Sequence, residues 1–167
     1  MTPSAVLEWG AAGIYCALLL TAALTDIIWR RIPNWIVIAL LGLYFLTLAL
    51  GVAPSTWSSA LGAAAIVLVA TYILFHLGVF GAGDAKLFSA VALFTGLGNL
   101  AEFALMTVLI GGLMALGVLV LYPKRVMRGL TAAGRAKNTG RGVPYGVAIA
   151  LGGIAAGALS LNPAAAG

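Results

Sequence analysis

A chain of 167 residues that is 63% hydrophobic and 8% charged is not an ordinary soluble domain, which runs about 45–50% apolar and about 25% charged. With a mean hydropathy of +1.13 it reads as an integral membrane protein, and its net charge of +5 is read through topology rather than nucleic-acid binding. The single cysteine, Cys16, excludes an internal disulfide and a multi-cysteine zinc site.

At ~20 residues per spanning helix, the chain has room for about six spans and no soluble domain. Apolar runs and their breakers predict helices near residues 6–28, 34–52, 57–79, 85–97, 100–122 and 144–161. The whole chain, 1–167, is thus expected to be one all-α, polytopic membrane domain. The first run has no Lys or Arg ahead of it, so it lacks the basic region of a removable signal peptide and reads as a retained span. The fourth run is short, which suits a helix that begins at a buried polar site or is shielded by its neighbours.

The breakers carry the polar chemistry. Between the first two runs lie Arg30, Arg31, Ile32, Pro33 and Asn34, where Pro33-Asn34 reads as a turn and Asn34 is a candidate cap of the second helix. Between the third and fourth lies Gly81-Ala82-Gly83-Asp84, followed by Lys86; the glycines are expected to permit a tight turn and a close approach. Between the fifth and sixth is a long basic loop, about 123–143, attracted by default to anionic lipid headgroups. Pro144-Tyr145-Gly146 then opens the last helix, either as an ordinary helix start or as a wall of an active site.

Every basic residue falls in an odd-numbered connection: Arg30 and Arg31 in the first, Lys86 in the third, and Lys124, Arg125, Arg128, Arg135, Lys137 and Arg141 in the fifth. The positive-inside rule makes that face cytoplasmic, with both termini outside. Glu8 and Glu102 then fall near the outer face. The only two aspartates, Asp26 and Asp84, fall at the inner end of the first helix and the inner start of the fourth, at one depth on one side.

Each aspartate has a structural explanation. Asp84 is placed to cap the fourth helix, and Asp26 to pair with Arg30 one turn on. Their shared depth, in a chain with so few charges, favours a functional pair. Two close carboxylates do not readily both ionise: one keeps a proton while the other acts as general base on water. Lys86, two residues past Asp84, either reaches for the interface or places positive charge near the pair. The one histidine, His76, has no partner at ligand spacing, so neither metal nor other cofactor is expected, and no nucleophile-elbow or phosphate-loop motif appears.

Three blocks, Asp26 with Arg31-Ile32-Pro33-Asn34, Gly81-Ala82-Gly83-Asp84 with Lys86, and Pro144-Tyr145-Gly146 with Ala148-Ile149-Ala150, resemble those of the type IV prepilin peptidases, the GxGD aspartyl proteases. The resemblance implies that Asp26 and Asp84 are a catalytic pair working without metal at the cytoplasmic face of the inner membrane. Gly81, Gly83, Lys86, Pro33, Asn34, Pro144, Tyr145 and Gly146 would shape the site. The substrate it implies is a prepilin or pseudopilin-like protein, cut between a short basic leader and a hydrophobic helix. Longer members of the family also N-methylate the new terminus and carry paired C-x-x-C motifs in a cytoplasmic insertion. This chain lacks those cysteines and is similar to the short, peptidase-only type of tight-adherence pili, so methylation is not expected. Two other readings compete: a small proton- or cation-coupled transporter component, and a non-catalytic membrane subunit of a pilus machine. Neither accounts for the three blocks together.

Overall fold

The structure, a computed structural model, describes residues 2–78, 80–121 and 144–160. Among these there are six helices and no strand: α1 (Pro3–Trp29), α2 (Asn34–Ala49), α3 (Trp57–His76), α4 (Ala82–Thr95), α5 (Leu100–Leu121) and α6 (Tyr145–Ser160). The basic loop falls outside the described residues. Helices α1, α3 and α5 are long and apolar enough to cross a membrane, and α2 and α6 are shorter apolar helices.

Local chemistry explains the boundaries. Thr2 caps α1, accepting from the Ala5 N–H, and Pro3 follows at the first helical position, where its missing N–H costs nothing. Arg30 ends α1 in the left-handed conformation (φ 53), donating its N–H to the Asp26 carbonyl. Pro33, extended and without an N–H to give, then separates α1 from α2. It is the N-cap position of α2, so Asn34 is the first helical residue rather than the expected cap.

Helix α4 begins at Ala82, three residues before the expected start. Asp84 is therefore inside the first turn, not at the cap position, which Gly81 occupies with ordinary backbone angles (φ −79, ψ 144). The expected tight turn at Gly81 and Gly83 is absent; the positive φ before α4 falls on Gly78 instead.

The bundle is built around α4, which packs on α2, α3, α5 and α6, while α6 also packs on α1 and α5. At 14 residues α4 is only about 21 Å long, short of the ~30 Å hydrocarbon layer. Its neighbours resolve that mismatch, since Ser89 through Leu93 are buried on every side. Small residues fill the contacts, including Ala22, Ala60, Ala63, Ala92, Ala148 and Ala150, whereas large ones such as Leu113 (72% exposed) and Val120 (69%) point outward. Small side chains inside and large apolar ones outside is the packing of helices in lipid. This is an all-α membrane protein.

At the end of the bundle away from Asp84, α4 is braced by the turn before α3. Ser55 donates to the Leu93 carbonyl at 2.7 Å, and Leu97 donates its N–H to Ser59 Oγ at 2.8 Å. Gly96 (φ 61) lies between these serines, where a Cβ would come within 2.8 Å of Ser59 Oγ.

Candidate active site

The last turn of α1 carries Asp26, and a long-range contact fixes its side chain. Buried at 6% exposure, it accepts the backbone N–H of Gly146 on Oδ2 at 2.8 Å. Gly146 is in the first turn of α6, where backbone N–H groups have no partner within the helix. Asp26 therefore caps a helix from a distant part of the chain. The approach needs glycine, because a Cβ at 146 would lie 2.8 Å from that same Oδ2.

Asp84 is half-buried in the first turn of α4. Its carboxylate reaches back to the N–H of Gly81, as the third residue of a helix does in a capping box. Gly81 serves this contact by its size, since a Cβ there would meet Asp84 Oδ2 at 2.7 Å. The two carboxylates lie close enough to act on each other electrostatically, and Arg30 adds positive charge on the Asp26 side.

The remaining candidates divide. Lys86, exposed on α4, donates to Asn34 Oδ1 at 3.4 Å and so ties the starts of α4 and α2 together. A Cβ at Gly83 would meet Ile32, side chain and backbone, at ordinary contact distances of 3.5 Å and more, so no close approach depends on it. The Pro144 carbonyl accepts from Val147 within the first turn of α6. Tyr145 packs its ring against Gly111 of α5 and edge-on to Phe80, with centroids 5.2 Å apart, at the margin of the main hydrophobic core.

Two participants, Ile32 and Phe80, were given no role in the site from sequence. Ile32 touches Gly83 and also lies 3.0 Å from where a Gly146 Cβ would be, so it wedges between the starts of α4 and α6. The signal was an apolar residue in a polar turn. Phe80 and Tyr145 each precede the glycine that serves a carboxylate, and their contact couples those two helix starts. His76 is exposed at the end of α3, edge-on to Tyr72. Among the described residues, no three His, Cys, Asp or Glu side chains are grouped to hold a metal ion. A cavity of about 330 Å³ opens beside Glu8, Thr47 and Asn99, but Glu8 is eighteen residues before Asp26 on α1, about 27 Å along the helix.

An apolar helical bundle whose two aspartates converge at one end, each held by a helix-terminal N–H, defines a membrane protein with an acid pair at its edge. The chain belongs to the type IV leader peptidase family, whose profile matches residues 13–116 and so includes both aspartates. It is 39% identical over 111 residues to the prepilin leader peptidase/N-methyltransferase of Bacillus subtilis (strain 168), an alignment covering 64% of this chain and 44% of that relative. The chain thus spans less than half the length of the curated relative it matches. No solved structure gives a significant match.

Proposed function

We propose that this protein is an aspartic endopeptidase that removes the short basic leader from prepilin-like substrates at the cytoplasmic face of the inner membrane. The observation that carries this reading is the convergence of Asp26 and Asp84 in a chain of the type IV leader peptidase family. An ionised carboxylate takes a proton from water as the oxygen adds to the scissile carbonyl carbon. The protonated carboxyl gives its proton to the carbonyl oxygen. Collapse of the tetrahedral intermediate then breaks the C–N bond, and the leaving amine takes up a proton. Holding both groups at fixed helix ends supplies the positioning such a step requires.

Topology supports the assignment of faces. With six spans and the basic connections inside, both termini are outside and the carboxylates are at the inner surface. A basic leader followed by an apolar helix would present its junction at that depth. The relative's name includes an N-methyltransferase, but we assign this chain leader cleavage alone, because it lacks the paired cysteines of the bifunctional type. Both aspartates lie at one end of the bundle and the two glutamates, Glu8 and Glu102, fall near the other, which favours a hydrolytic site over an ion path, since a path needs acids along its length.

The test uses membranes containing the protein and a prepilin bearing its leader, with leader removal followed by gel shift. Cleavage by the wild type and none by inserted Asp26→Asn or Asp84→Asn supports the reading. Undiminished cleavage by both variants overturns it.

A further inference from the structure

We propose that the cavity at the end of the bundle away from the carboxylates is a lipid site, which takes the ammonium headgroup of a phosphatidylethanolamine from the leaflet on that side.

The cavity, of about 330 Å³, is at the lower end of small-molecule sites, which run about 300–1,000 Å³. Its walls come from α1, α4, α6 and the connection between α2 and α3. The mouth is polar, with Glu8 exposed on α1 and Asn99 half-buried just before α5. The floor is apolar: Tyr15, 7% exposed, and Phe94 meet there with ring centroids 4.6 Å apart. Along α1, Tyr15 is about 10 Å deeper than Glu8. Trp9, beside Glu8, and Trp57, the first residue of α3, are both exposed at this end, and tryptophan collects at the level of the lipid headgroups. A polar mouth at headgroup depth over an apolar floor fits an amphiphile.

Charge selects the headgroup. The Glu8 carboxylate is joined at the cavity by the carboxyl ends of three helices: α2, ending at Ala49, α4, ending at Thr95, and α6, whose Gly157 is three residues from its end. Each such end carries partial negative charge. The opposing contribution is the amino end of α5 beside Asn99, and Glu102 in the first turn of that helix offsets it. No lysine or arginine balances this charge. Arg30, Arg31 and Lys86 stand at the carboxylate end, and the other six basic residues fall between 124 and 141, in the connection that enters α6 beside Asp26. Residues 161–167, beyond α6, contain no charged side chain.

An anionic headgroup is repelled from such a cavity. A choline headgroup has the charge but no N–H to give. A primary ammonium has both, with three donors for the Glu8 carboxylate and the carbonyls of the helix ends.

The test offers full-length protein in detergent equal amounts of phosphatidylethanolamine, phosphatidylcholine and phosphatidylglycerol, and reads the retained lipid by native mass spectrometry. The wild type is expected to retain phosphatidylethanolamine over each of the others by about fivefold. Glu8→Gln removes the charge at the mouth, and Ala12→Leu fills space that Ala12 lines; each is expected to abolish the preference. Glu102→Gln makes the same charge change at the same end but outside the cavity wall, and is expected to keep it. Ethanolamine in solution, which has the ammonium without the chains, is expected not to displace the lipid at equal concentration. A wild type without preference, a preference that survives Glu8→Gln or Ala12→Leu, or one lost equally in Glu102→Gln overturns the proposal. Displacement by ethanolamine overturns the assignment to lipid. A preference that appears only after the amino terminus is acetylated gives the cavity to the chain's own ammonium and overturns it as well.

Discussion

Gly146 donates its N–H to the Asp26 carboxylate at 2.8 Å, joining residues 120 positions apart. That bond makes the start of α6 part of the site, although the matched family profile ends at residue 116. Gly146→Ala would push a methyl group against Asp26 Oδ2. We expect leader cleavage to fall by about tenfold or more, with the protein still folded by circular dichroism. Unchanged cleavage would show that the contact does not position Asp26.

Replacing either aspartate by asparagine removes a group from a unit that works as a pair. Cleavage is expected to drop by roughly a thousandfold or more, and the double variant to lose little beyond either single one, because residues acting as a unit are strongly non-additive. Single-turnover rates on a purified prepilin give the comparison; additive losses would argue against a shared step.

Arg30→Gly separates stability from function. Glycine relieves the left-handed strain, worth about 1 kcal/mol, so thermal unfolding in detergent is expected to rise slightly. Cleavage near neutral pH should nonetheless fall, because the positive charge on the Asp26 side is gone. A variant that is both more stable and fully active would remove Arg30 from the site.

Lys86 and Asn34 hold the starts of α4 and α2 together through an exposed contact of 3.4 Å. Lys86→Met and Asn34→Ala are each expected to slow cleavage by less than about tenfold, and the double variant by no more than the worse single one. Independent effects in a double-mutant cycle would show that the contact is incidental.

Gly96 is far from the carboxylates, with a positive φ and serines on both sides. Gly96→Ala is expected to destabilise the bundle by about 2 kcal/mol or more while leaving the shape of the pH–rate profile intact. Thermal unfolding and that profile, measured together, distinguish a structural brace from an effect on chemistry.

Much of this protein was legible in its sequence because a membrane leaves few alternatives. In lipid every backbone polar group must be satisfied within the chain, so long apolar runs become helices. The expected runs match the six observed helices to within a few residues. Misplaced boundaries have local causes: Gly78 stopped α3 early, and the reach of Asp84 back to the Gly81 N–H drew the start of α4 forward.

Two lone aspartates at the ends of apolar runs identified the candidate pair from sequence alone, since a charge at such a position is costly enough to need a reason. What the linear chain did not contain is which group meets which. Only packing decided that Asp26 binds the Gly146 N–H, that Ile32 wedges between the starts of α4 and α6, that Lys86 turns to Asn34, and that Gly81 serves Asp84 by its size rather than its flexibility. Composition and run length are properties of segments and survive translation into helices directly. Contacts between helix ends depend on the tilt and register of whole helices, and those are set by how small side chains interlock across the bundle.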